Sequence, residues 1–436
     1  MDVLRSIGVL VMTSIKILLR RFPVLKLLLK FTYLMVKLFL SCFDSKSVKP
    51  SPRPTFAIGS GLYHCFFGYY DKSPVSPCGR YVLYHKVRRL HLPGLKRLAS
   101  ICVYDSITQV NRRLARTSAW NWQQGAMLQW LPGNDEELVI IFNDLSTNGS
   151  TLCSRKVDIF GNELGSYEFP LGACRGDGQN ILSIDFIALE AYKTGYGYPV
   201  ISSMRGSVAA SLSGHGRVIE ISAEGGDCTE LFCLDELNAF LISNGVLVLE
   251  NSYINHPSYF PASSDFIFIH RTFSGQDDFI STLLLFDSSQ GKFKILLGPG
   301  HISHFCWIGL TDLLIYGYDA ARDCDGYFTL NVHNLTEVSK LEIQLYVDGH
   351  PTVSPNGKYI ITDSYPDYAR KQSLYIVDFQ SSEVIKEFEF YSPIHYFDGS
   401  RCDLHPRWSY DGSMVLIDTT RSGFRKLEAF TLDELL

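Results

Sequence analysis

The sequence predicts an all-β fold, a seven-bladed β-propeller over residues 55–436, preceded by a basic amphipathic, membrane-associated helical segment. Three observations lead there. A strand–turn–strand template, often headed by His-Pro, recurs along the body. The 34 glycines and 13% aromatic residues suit many short strands joined by tight turns. The first 43 residues have a composition unlike anything after them.

The body can bury a large core, since 46% of residues are hydrophobic and only 19% charged. The formal net charge of the whole chain is −5, and there is no basic run beyond the N-terminus, which excludes a nucleic-acid footprint in the body. Eleven cysteines stand at irregular positions with no CxxC or CxH zinc spacing. An odd set of scattered thiols fits a reducing compartment and places the protein at the cytoplasmic face of a membrane. Asn148-Gly149-Ser150 and Asn334-Leu335-Thr336 match the glycosylation triplet, which also arises by chance.

Residues 1–43 are rich in Leu, Ile, Val, Met and Phe, yet Lys16, Arg20, Lys26, Lys30 and Lys37 interrupt them. No uncharged run before Lys16 reaches the ~20 residues needed to span a bilayer. The i+4 and i+7 spacing of the basic residues gathers charge on one helical face. A helix broken near Pro23 and lying on anionic lipid fits that pattern, with a snorkelling transmembrane helix as the alternative. A Ser/Pro/Lys linker occupies 44–54.

In the body, His350-Pro351-Thr352-Val353-Ser354-Pro355-Asn356-Gly357 leads into a strand ending at Asp363. His405-Pro406-Arg407-Trp408-Ser409-Tyr410-Asp411-Gly412 leads, with identical spacing, into one ending at Asp418. His256 and His304 head looser copies, and copies without the histidine begin at Lys72 and Met127. Starts at 72, 127, 256, 304, 350 and 405 leave one wide gap, which a hidden blade fills. Its signal is Asp177-Gly178-Gln179-Asn180, followed by ILSIDFIAL read as a strand. Seven units in about 380 residues give the usual blade size. Two stacked β-domains are the structural alternative.

The first strand of a propeller blade lines the central channel, so residues at one template position form a ring. His256, His304, His350 and His405 hold that position in four consecutive blades. Converging imidazoles suit a divalent metal such as Mn, Zn or Ca, or direct contact with a substrate. A hydrogen bond from each ring to a neighbouring blade would explain them without a ligand. A second cluster is His64 within Tyr63–Lys72, with His85 at the end of the following strand. A third is Tyr198 in the Gly195-Tyr196-Gly197-Tyr198 loop, with Arg205 and Arg217 downstream.

Taken together, HCFFGYYDKSP with His85, the Gly-Tyr-Gly-Tyr loop, NHP, SHFCW, DGHPTVSPNGKYIITDSYPD and RCDLHPRWSYDG resemble the seven-bladed polysaccharide lyases. The nearest groups are the oligogalacturonide lyases and the ulvan-lyase-like enzymes, over most of residues 60–425. Single motifs such as the SPDG-type turn also occur in TolB-like propellers. The resemblance implies β-elimination from a uronate-containing saccharide. The site must then neutralise the carboxylate, remove the proton α to it and protonate the leaving oxygen. On that resemblance His64 and His85 serve as base or carboxylate ligand, and Tyr198 as acid, or as acid and base together. Arg217, or a metal on His304, His350 and His405, neutralises charge.

Three functions compete. The first is a membrane-associated lyase acting on an acidic poly- or oligosaccharide. The second is a non-catalytic propeller that binds a polysaccharide intermediate or scaffolds glycosyltransferases in exopolysaccharide assembly. The third is a TolB-like protein-interaction propeller, for which channel histidines have no evident use.

Overall fold

Runs such as Tyr359–Asp363, Leu313–Ile315 and Val415–Ile417 are buried, because each sheet packs between two others. In the computed structural model of the chain these runs are the second strands of successive blades. Described residues are 51–89, 98–133, 137–193, 195–198, 216–274, 279–319, 323–345, 347–396 and 398–436, with Thr32 and Lys49. The expected segment 1–43 lies outside them, Thr32 apart. Among the described residues, no helix is long and apolar enough to cross a membrane.

Five four-stranded sheets and one seven-stranded sheet make seven antiparallel blades. The seven-stranded sheet is two blades sharing one strand, Lys292–Ile308. Its first part pairs with Phe279–Asp287 and its second with Asp312–Asp319. Blade 7 takes its outermost strand from the start of the body, Phe56–Ile58 pairing with Lys426–Thr431. The ring is therefore closed by joining the two ends of the body.

The hidden blade, blade 3, is present but shorter than expected. After the turn at 175–179, only Asn180–Ser183 is strand. The rest of ILSIDFIAL turns into a helix, α1 (Phe186–Tyr192). Asp185 caps it, its Oδ1 accepting from the amides of Ile187 at 3.0 Å and Ala188 at 2.9 Å. An Asx cap ahead of Ala- and Leu-containing sequence outweighs the β-branched run before it.

Neighbouring blades are fastened by one repeated device. The residue near the end of a blade's second strand reaches the inner strand of the next. Asp363 accepts from the His350 amide at 2.8 Å and, with its other oxygen, from the His405 amide at 2.9 Å. Asp418 accepts from the Phe67 amide at 2.9 Å. Asn143 exchanges two bonds with Leu171, and His85 accepts from the Ala126 amide at 3.0 Å. These clasps hold the inner strands in register around the axis.

Candidate functional site

The inner strands that carry His256, His304 and His405 are irregular at those residues. His256 and His405 adopt φ of +53° and +46°, and ladder registers shift beside His256 and His304. The irregularity turns these side chains off the blade and towards the axis. Ring centroids lie 6.1 Å apart for His256 and His304, and 4.2 Å apart for His304–His350 and for His350–His405. The four histidines thus form one layer, as their template position predicted.

Two tyrosines that the sequence reading left unused fill the layer. The inner strand of blade 1 pairs at Tyr63–Phe66, breaks, and pairs again at Val75. The intervening loop carries Tyr69 and Tyr70 into the ring. Tyr69 stacks on His256 at 5.2 Å and meets His405 edge-on at 5.0 Å. Its hydroxyl is 3.3 Å from His256 Nε2. Tyr70 meets His350 and His304, and its hydroxyl donates to the Phe305 carbonyl at 2.8 Å.

The histidines differ in charge state because their partners differ. Burial, then the charge of Arg271, holds His256 well below the ordinary imidazole range. Burial, then His350, does the same for His405. His304 is lowered by burial and His350, against the pull of Asp348. Burial also acts to lower His350, but its bond to Asp363 outweighs that and raises it. Burial lifts the Tyr69 hydroxyl well above the ordinary phenol range. His256 is consequently an unprotonated acceptor at neutral pH, facing a Tyr69 that keeps its proton.

Above the layer, on the N-terminal side of each histidine, lies a charged mouth. Asp348 and Asp403 each stand two residues before a histidine, so the alternation of an extended strand puts them on the same side as that ring. Asp348 bonds His304 at 3.2 Å. Asp403 is gripped by Arg401 at 2.6 and 2.8 Å. Tyr365 meets His350 at 5.6 Å, and Arg401 stacks over it at 4.3 Å. Arg271 is buried beside Tyr69, Tyr196 and Tyr253. It donates to the Ser303 carbonyl at 2.9 Å, its Nε has no acceptor, and among the described residues no carboxylate pairs with it.

The expected catalytic residues fare differently. His85 is fully buried at a blade seam, stacked on Phe66 at 5.1 Å. A Cβ on Gly125 would sit 2.3 Å from its ring, so the clasp depends on glycine there. His85 occupies the clasp position of Asp363 and Asp418, its Nε2 taken up by the Ala126 amide. His64 lies at the seam of blades 7 and 1, accepting from the Arg425 amide at 3.2 Å and packed edge-on against Trp122. Tyr198 is in the core of blades 2 and 3, stacked on Phe186 at 5.0 Å, and its hydroxyl accepts from Asn143 at 2.8 Å. Its loop partner Tyr196 faces the charged mouth, near Arg401 and Asp403. A Cβ on the intervening Gly197 would strike the Phe186 carbonyl at 2.2 Å, which fixes this division of labour. Arg217 is half exposed on blade 3, 3.3 Å from Glu230 on the adjacent strand. Arg271 is instead a buried cation beside the histidine layer. Arg205 lies outside the described residues.

A metal set also emerges, though not the expected four histidines. Ligand atoms of His350, Asp403 and His405 lie within 4.8 Å of one another. His350 Nδ1 is engaged by Asp363 at 2.8 Å, and His405 Nδ1 donates to the Gly68 carbonyl at 2.7 Å. Both Nε2 atoms are buried without a partner. An imidazole fixed through Nδ1 with a bare Nε2 is prepared for a cation. Of these residues, Asp403 was missed, although the Asp-x-His spacing recurs at 348–350 and 403–405.

No family model matches the sequence, and no curated protein aligns with it significantly. Solved structures do match. An oligogalacturonate lyase in complex with manganese superposes with a TM-score of 0.54 at 15% identity, over 88% of this chain and 98% of that one. A second oligogalacturonate lyase, from Vibrio parahaemolyticus, gives 0.54 at 14% identity, over 87% and 95%. The chain shares the β-propeller fold of these two lyases. A prolyl endopeptidase matches at 0.50 and 6% identity over half its length, so the ring itself is shared with proteins of other chemistry. For this propeller, function has to be argued from the site.

Proposed function

We propose that the channel is a lyase-like saccharide site that performs β-elimination on a uronate-containing oligosaccharide. The observation that carries this reading is Arg271, a buried guanidinium with no carboxylate partner among the described residues, beside an unprotonated His256 and a protonated Tyr69. A buried cation without a counter-charge costs several kcal/mol, which a ligand carboxylate offsets. The lyase relatives make a saccharide acid the fitting ligand.

Once substrate displaces the Asn255 amide and the Tyr69 hydroxyl, 3.1 and 3.3 Å from His256 Nε2, that nitrogen accepts the proton α to the carboxylate, the electron pair forms the ring double bond, and the glycosidic C–O bond breaks. Tyr69 is placed to donate to the leaving oxygen, and Tyr196 to orient the sugar. His350, His405 and Asp403 would hold a divalent cation such as manganese, which when bound withdraws charge from the carboxylate. Arg401 must then loosen its double hold on Asp403.

Ultraviolet absorbance of an unsaturated product from trigalacturonate tests the reading, with Arg271→Ala and His256→Ala expected to abolish it. A second reading, a non-catalytic saccharide-binding propeller, is favoured by one feature: Tyr69 and Tyr70 occupy the space that the histidines surround. Saturable binding with no product at any metal supplement would select it. Membrane attachment through residues 1–43 belongs to the same proposal, and flotation with anionic vesicles, lost on removing 1–43, tests that part.

A further inference from the structure

Beyond the histidine layer the inner strands continue to the opposite mouth of the channel, and there the chemistry changes. Residues following the histidines, Ser258, Trp307, Thr352 and Trp408, line a cavity of about 260 Å³ with Asp71 and Lys72. Both cations at its wall are already neutralised. Lys72 is 2.6 Å from Asp71, and Arg407 is 2.7 Å from Asp418. A charged ligand therefore has no counter-ion to find here, in contrast to the mouth that holds Arg271.

What the cavity does offer is flat apolar surface together with donors and acceptors. Trp307 donates to the Ser258 hydroxyl at 2.9 Å, which leaves the Ser258 proton for a ligand oxygen. Thr352 donates to the Pro406 carbonyl at 3.3 Å and keeps its oxygen lone pairs. Trp408 is 7% exposed, and its indole N–H is buried without an acceptor. An unmet buried donor of this kind is expected to have a partner in use. Hydroxyl groups both donate and accept, and the C–H face of a pyranose lies well on indole. The volume falls just below the roughly 300–1,000 Å³ of sites for drug-sized ligands, which suits one ring.

We propose that this second mouth binds a single uncharged sugar ring, through Trp307, Trp408, Ser258 and Thr352. The cavity adjoins the proposed elimination site, because Tyr70 and His256 of the histidine layer also line it, but the binding test below does not depend on that chemistry. The full chain labelled with 5-fluorotryptophan supplies the test. Methyl glycosides of glucose, galactose, mannose and N-acetylglucosamine are titrated while the fluorine resonances are followed, with Trp307 and Trp408 assigned by replacing each with Phe. At least one glycoside should shift both resonances saturably. Ser258→Ala should weaken that binding about tenfold, and Thr352→Trp, which fills the cavity, should abolish it. Either variant suffices if the other does not fold. The proposal is overturned if no glycoside shifts the two resonances, if the shifts survive in these variants, or if galacturonate binds there more tightly than every neutral glycoside. Absence of lyase product in a separate assay has no bearing on this outcome.

Discussion

Arg271 brings a positive charge into the propeller with, among the described residues, no carboxylate to receive it. Such a group harms the empty protein and serves the loaded one. Arg271→Met should therefore leave the chemical denaturation midpoint unchanged or higher, because an apolar side chain of similar reach replaces an uncompensated charge. The same change should lower trigalacturonate turnover at least 100-fold, about 2.7 kcal/mol of lost stabilisation. A large fall in stability would mean that Arg271 is a structural strut. At this scale the sequence showed His350 and His405 clearly, since identical spacing marked them, and His256 and His304 through looser copies of the same template. It hid Arg271, which follows His270 at the end of an apolar strand and belongs to no repeated motif. It also misdirected attention to Arg217 and His85, because only the fold tells a seam or an outer face from the axis.

The clasps between blades make predictions about elements. His85 does the work that Asn143 and two aspartates do elsewhere, but it can be protonated. Burial lowers its pKa to about 4 from the model-peptide value near 6.5. Between those values the unfolded chain binds a proton that the folded chain does not. Stability is thus complete above about pH 6.5 and falls as pH drops towards 4, by roughly 3 kcal/mol from this group. His85→Asn keeps an acceptor for Ala126 and should flatten the decline in urea midpoint between pH 7 and 4.5. An equally steep decline in the variant would assign the acid sensitivity elsewhere. Asp363→Ala strips a partner from the His350 ring and from two backbone amides. A cost of about 3–5 kcal/mol is expected by the same denaturation experiment, since buried donors lose their acceptor. The strand-ending aspartates were visible as a repeat, whereas their reach into the next blade was not, because sequence periodicity is silent about neighbours across a seam. Helix α1 was misread for a local reason: an apolar β-branched run gave no weight to the cap at Asp185.

For the whole molecule, ring closure rests on Phe56–Ile58 completing blade 7. A chain beginning at residue 59 exposes the edge of Lys426–Thr431 and should melt at a lower temperature and aggregate, while one beginning at residue 51 should keep its melting temperature. Equal melting temperatures would show that the closure contributes little. The seven-blade count was legible because most blades repeat a turn and a strand, and blade size accounted for the gap. The layer filled by Tyr69 and Tyr70 was not legible, as it depends on a break in one inner strand. The central claim is that this ring gathers residues distant in sequence around one small ligand, and anomalous diffraction from crystals soaked in Mn²⁺ addresses it most directly. A single peak bonded to His350 Nε2 and His405 Nε2, with Asp403 turned from Arg401 towards it, is the predicted result. Peaks confined to the outer surface, with the histidine layer unchanged, would contradict it.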